Sequence, residues 1–150
     1  MSYNSDFQRA FVERSFLLIK EYKGPYDATI LLNCLLGLVI VPNEQCFDSL
    51  PAKPLDALSE TWGIPSSAIT RAGDYSSSPK HNPGNLPYNL RLFVRDLRNA
   101  VAHFCFSPIP ETGEVESFKF WSERNGFAAE IHLEHLRTFV ERLAYQVKEM

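Results

Sequence analysis

The sequence predicts a mainly all-α domain: a bundle of four to five helices with one small β-hairpin inserted before the last. Three observations carry this. Leu90, Phe93, Val94, Leu97, Val101 and Phe104 follow the i, i+3, i+4, i+7 spacing of a packed helix, and Leu133, Leu136, Val140, Leu143 and Val147 restore that spacing at the C-terminus. The stretch 30–41 is apolar almost all round, as a central helix is. Between the two periodic helices the pattern changes to short strand-like runs, 115–121 and 127–131, joined through Asn125-Gly126, a strong hairpin signal.

Taken in order, residues 6–22 read as a first helix, capped by Ser5 or Asp6 and stopped by Gly24-Pro25. Phe7, Phe11, Leu18 and Tyr22 form one stripe on it; Val12, Phe16 and Ile19 form another, so both sides are expected to be covered. Residues 26–40 make the second helix, ended by Pro42, and Gly37 within it is expected to serve helix packing. A short third helix occupies 55–62. From 63 to 87 the composition shifts to Gly, Pro, Ser and Asn without periodicity, which reads as one long loop. The helix over 90–106, the hairpin and the last helix follow, and no internal repeat is visible.

At 150 residues the chain is read as a single domain, 1–150, long enough to bury a core. A net charge of −3 excludes a generally basic nucleic-acid binder, so any such affinity must come from a local patch. Cys34, Cys46 and Cys105 are odd in number and show no CxxC spacing, which favours reduced thiols and a cytoplasmic protein and offers no metal site. Residues 1–8 are polar and lack a basic stretch followed by an apolar core, so no signal peptide is expected. The apolar stretch 30–41 contains Asn33 and falls short of the roughly 20 residues needed to cross a bilayer.

The polar side of the 90–106 helix is the patch. Opposite its apolar stripe lie Arg91, Arg95, Arg98, Asn99 and His103, nearly all guanidinium, amide and imidazole where a solvated face would mix Glu and Lys. Asn99 and His103 stand four apart and so lie one above the other. Arg98 and His103 stand five apart, about 140° around a regular helix. Either the helix distorts near its end, or another surface completes the site. Ala100 and Ala102 flank the strip and would let a second backbone approach, for instance a two-fold copy of the same helix.

The pattern Arg98-Asn99-Ala100-Val101-Ala102-His103 resembles the motif of the HEPN superfamily (higher eukaryotes and prokaryotes nucleotide-binding). The wider chain is similar to a prokaryotic, often plasmid-borne branch, through Thr29-Ile-Leu-Leu-Asn33-Cys-Leu-Leu-Gly37-Leu with Pro42 following, Trp62-Gly63-Ile64, and the Phe-rich hairpin with its closing helix. The resemblance implies a metal-independent endoribonuclease that needs no cofactor and works as a homodimer on RNA, its motif helices facing each other across a cleft. By motif position Arg98 and His103 would be the catalytic pair and Asn99 the residue that orients them. The role implied is that of a toxin, phage-defence or stress effector, with an antitoxin or neighbouring-gene protein as partner. The chain departs from one pattern of the superfamily. His103 is followed by Phe104-Cys105-Phe106, so the Tyr that a nucleotidyltransferase antitoxin modifies in some members has no counterpart.

These residue types suit that chemistry. Imidazole can act as base or acid near neutral pH, and guanidinium offers a planar fork of donors to phosphate oxygens. Each also has a structural reading. His103 would complement the helix dipole, and Arg98 would pair with a carboxylate such as Asp96 or Glu60. Arg95 and Arg91 either bind substrate phosphates or are solvated. Asn33, in an apolar helix, is expected to be a buried amide that either supports Arg98 or bonds to backbone. His132 and His135 read as surface histidines rather than metal ligands, and Lys80-His81 as solvated loop residues. The competing function is a non-catalytic HEPN-type module that binds nucleotide or RNA or serves protein interaction.

Overall fold

The computed structural model describes residues 2–23, 27–40, 50–51, 54 and 59–148. Its elements run α1 (Ser2–Glu21), α2 (Asp27–Ile40), α3 (Ser59–Trp62), a 3-10 turn (Ser66–Ala68), β1 (Ile69–Arg71), α4 (Leu90–Ala102), β2 (Phe106–Ile109), β3 (Ser117–Trp121), β4 (Ala128–His132) and α5 (Leu133–Lys148). The expected stops at Gly24-Pro25 and Pro42, residues 55–58 of the third helix, and Cys46 lie outside the described residues.

The mainly all-α expectation is corrected. The hairpin is the centre of a four-stranded antiparallel sheet in the order β1-β4-β3-β2, so the fold mixes helices with a sheet. Both added strands are edges, and both are hard to read. β1 is three residues long and lies inside the 63–87 segment, which is therefore not a bare loop: Ile64, Ala68, Tyr75 and Asn82 in it are buried. β2 takes Phe106, expected at the end of the motif helix, and contains Pro108, which cannot donate a ladder hydrogen bond and is tolerated at a sheet edge.

The β3–β4 register places Phe118 opposite Ile131 and Phe120 opposite Ala129, and all four are buried. Lys119 and Glu130 face each other on the other side, an opposite-charge cross-strand pair. The alternation that predicted the strands is thus the alternation of core and solvent.

α1 packs on α2 and α5, α2 on α4 and α5, and α4 on β3. The stripe Val12, Phe16, Ile19 of α1 faces the core; on the other stripe Phe11 and Tyr22 are half-buried, whereas Leu18 is exposed, as is Leu17. Gly37 does serve packing, because a Cβ there would stand 2.5 Å from the Phe11 ring. On α5, Leu136, Phe139, Val140, Leu143 and Ala144 are fully buried; Phe139 meets Phe93 of α4 edge-on, with ring centroids 5.4 Å apart.

Candidate functional site

The site is built on α4. Asn89 caps its N-terminus by accepting a hydrogen bond from the Leu92 amide at 3.3 Å. Leu90, Phe93, Val94, Leu97 and Val101 are buried, as the stripe predicts. Phe104 is not: it is 78 % exposed. The helix ends at Ala102, with His103 as its C-cap at φ −101, and Phe104 turns left-handed at φ +57. The Cys105 amide donates to Ala100 at 2.7 Å and the Phe104 amide to Val101 at 3.2 Å. This is the helix-closing pattern in which glycine is the usual left-handed residue. Phe104 stacks on Phe106 at 6.1 Å instead of continuing the stripe.

The end of α4 opens on a cavity of about 230 Å³. Asn99 and His103 form one side, and Cys105, Trp121, Ser122, Glu123 and Arg124 form the rest. The second wall is the β3–β4 connection of the same chain. That connection is longer than a two-residue hairpin turn: Ser122 and Phe127 are joined by an amide-to-carbonyl bond at 2.9 Å, and Gly126 takes the left-handed conformation at φ +78. His103 is exposed, and Asn99 and Arg98 are half-buried. The described geometry therefore brings Asn99 and His103 together on one cavity, while Arg98, on the neighbouring helical position, is not among its lining residues.

Arg95 is half-buried, near enough to Tyr75 to oppose the upward shift of its hydroxyl. Arg91, at the first turn, donates from Nε to the Leu50 carbonyl at 2.5 Å and so anchors a connecting segment. It lies about 18 Å along the helix from His103. Asn33 is corrected: it is exposed on α2, so the expected buried amide is absent. Ala102 is exposed, but Ala100 is fully buried and cannot meet a second backbone. His132 and His135 are both exposed, with ring centroids 6.0 Å apart. Among the described residues no group of three or more His, Cys, Asp or Glu is placed to hold a metal ion. No helix among them is long and apolar enough to cross a membrane.

One polar cluster escaped the sequence reading. Asp96, on the buried side of α4, has no exposed surface. Its carboxylate accepts from Tyr75 at 2.7 Å, Tyr88 at 2.5 Å and Asn125 Nδ2 at 2.7 Å, with a further bond from the Gly73 amide. Burial raises the pKa of the carboxyl above the usual aspartate value, and the four donors pull against that rise. Burial, and then the Asp96 carboxylate, push the Tyr75 and Tyr88 hydroxyls far above the ordinary tyrosine range, so both stay protonated and donate. Gly73 is required by close approach, since a Cβ there would stand 2.4 Å from Asp96 Oδ2 and 2.5 Å from Asn125 Nδ2. The sequence held no signal for it: on the helical wheel Asp96 falls beside His103, at the border of the apolar stripe, where a solvated carboxylate is equally expected. The partners are scattered over Tyr75, Tyr88 and Asn125, and no spacing links them. Trp121, Glu123 and Arg124 were likewise read only as parts of a hairpin.

A second cavity, of about 380 Å³, opens at the other end of the β3–β4 hairpin, lined in part by Glu114, Glu116, His132, Glu134 and Arg137. Its charges are mixed, and the Arg137 guanidinium is engaged with the Ile19 carbonyl at 2.9 Å.

In comparison with known families, the family model HEPN pEK499 p136 matches residues 1–149. Neither a curated protein nor a solved structure matches the chain.

Proposed function

The chain belongs to that HEPN family, and from this premise we propose that it is a metal-independent endoribonuclease acting at the cavity beneath the end of α4. The observation that carries the reading is that Asn99 and His103 line one cavity while His103 remains exposed to an incoming substrate. In the proposed reaction the 2′-hydroxyl of a ribose attacks the adjacent phosphorus. Its proton passes to a base, the bond from phosphorus to the 5′-oxygen breaks, and an acid returns a proton to that oxygen. The products are a 2′,3′-cyclic phosphate and a 5′-hydroxyl. His103 supplies the imidazole for base or acid. Arg98 stabilises charge on the phosphorane, and Asn99 orients the imidazole or holds a phosphate oxygen.

One histidine cannot serve as base and acid in the same step, so the reading includes a homodimer in which a second His103 faces the first. Arg95, and more remotely Arg91, would guide phosphates toward the cleft. In the cell the protein would be a cytoplasmic toxin, phage-defence or stress effector, held in check by an antitoxin or neighbouring-gene protein. The alternative is a HEPN-type module that binds RNA or nucleotide, or a protein partner, without cleavage. It is favoured by the position of Arg98 outside the cavity lining.

Purified protein on a mixed RNA pool decides between them. Cleavage is expected to continue in EDTA, to leave cyclic phosphate ends, and to fail at a 2′-deoxy position. His103→Ala should lower the rate about 10²–10⁴-fold and Arg98→Ala about 10²–10³-fold, with circular dichroism unchanged. Cleavage that survives both substitutions, or that needs magnesium, overturns this mechanism, and binding of RNA without cleavage overturns the nuclease reading.

A further inference from the structure

We propose that Asp96 is a positioning residue for this cavity: through Asn125 its carboxylate ties the 122–126 turn to α4 and so sets the spacing between the two walls. What the cavity does rests on the nuclease reading above; what holds it together rests on geometry alone.

The turn is closed on itself. Ser122 N–H donates to the Phe127 carbonyl at 2.9 Å, and Gly126 N–H donates to the Ser122 carbonyl at 3.0 Å. Those bonds shape the turn without placing it against α4. Asn125 provides the placement. Its Oδ1 accepts from the Phe127 amide at 3.2 Å, which orients the side-chain amide so that Nδ2 meets Asp96 Oδ1 at 2.7 Å. Its carbonyl also accepts from the Asp74 amide at 2.9 Å, bringing in the segment that carries Gly73 and Tyr75.

Asp96 lies one helical turn before Asn99, and Ser122, Glu123 and Arg124 lie just before Asn125. The Asn125–Asp96 hydrogen bond therefore spans from the helix that carries Asn99 and His103 to the turn that faces them, while the bond from the Trp121 amide to the Cys105 carbonyl at 3.0 Å fixes the end of β3 and leaves the turn beyond it to Asn125. A carboxylate suits this post better than an amide. Donors from Tyr75, Tyr88, Asn125 and Gly73 converge on it, and an ionised carboxylate only accepts, whereas asparagine would turn an NH₂ toward some of them. Asp96 itself is absent from the cavity lining and acts only through the residues it holds.

The test uses the full chain with two substitutions, because Asp96→Ala removes the centre of a buried network and endangers folding. Asn125→Ala cuts the tether and leaves Tyr75 and Tyr88 on Asp96. Tyr88→Phe removes a donor from the same carboxylate without touching the turn. Amide hydrogen exchange over 122–126 is read beside kcat and KM for RNA cleavage. Asn125→Ala is expected to speed exchange in the turn at least about tenfold and to lower kcat by about 10–100-fold, as a displacement of about 1 Å does. Tyr88→Phe is expected to lower Tm while keeping kcat within about twofold. Unchanged exchange in the turn overturns the proposal. So does a kcat loss in Asn125→Ala no greater than in Tyr88→Phe at matched loss of stability. Should the wild type cleave no RNA, the nuclease reading fails, and the exchange measurement alone decides the tether.

Discussion

Around Asp96, helix α4 is enclosed: the carboxylate has no exposed surface, and two tyrosines, an asparagine and a backbone amide saturate it. Around His103, about two turns later, the same helix ends in the open, its last residues capped by a left-handed Phe104 and facing a cavity. The two surroundings divide the work of one helix. Buried polar groups in a low-dielectric interior are held strongly when every partner is present and are costly when one is missing. An exposed imidazole contributes little to stability and is free to meet a substrate. The fold is therefore most sensitive where no chemistry is proposed, and the proposed chemistry sits where the fold is least sensitive.

Substitutions at the two places should differ sharply. Asp96→Ala leaves three side-chain donors, one on a buried and two on half-buried residues, without their acceptor and is expected to lower unfolding free energy by about 3–5 kcal/mol, at the low end of the cost for each donor, against less than about 0.5 kcal/mol for His103→Ala. Urea midpoints of the two variants measure this, and similar losses would erase the contrast. Gly73→Ala should come next, at about 1–3 kcal/mol, since its methyl would press on Asp96 and Asn125, neither of which can yield without breaking the cluster.

The enclosed carboxyl should also be visible in pH dependence. With its folded pKa raised above the unfolded value of 3.8, its contribution to stability is fully present below that value and is lost as pH rises through the folded pKa. Wild-type stability measured relative to Asp96→Asn should therefore fall with rising pH across that window, by no more than about 1.4 kcal/mol per pH unit for one proton. The opposite slope would mean that the four donors outweigh burial. At the open end the sign reverses. Phe104→Gly should raise stability by about 0.5–1 kcal/mol, because glycine takes the left-handed conformation without the clash that a Cβ incurs. Thermal melts check the sign.

How much of this was legible follows from distance along the chain. The α4 stripe, the β3–β4 alternation and the α5 stripe were readable because each repeats within a few residues and each meets a core on one side. The strip of Arg98, Asn99 and His103 was readable for the same reason. The end of α4 was not, because residues 103–106 continue an apolar pattern that the backbone abandons when Phe104 turns left-handed. β1 and β2 gave no periodic signal, since an edge strand of three or four residues draws its stability from the strand beside it. Asn33 misled because an amide in an apolar helix resembles a buried one until the helix is seen to keep an open side.

The sequence by itself determined the helices, the central hairpin, the family and the identity of the candidate catalytic residues, all of which rest on periodicity and on a motif six residues long. Only the tertiary structure decided that the hairpin anchors a four-stranded sheet, that Asn99 and His103 share a cavity walled by the 122–124 turn, and that Asp96 gathers donors from three other segments. The physical reason is that burial and hydrogen-bond partnership are properties of neighbours in space. Tyr75, Asp96 and Asn125 lie 21 and 29 residues apart in the chain and within hydrogen-bonding distance once it has folded.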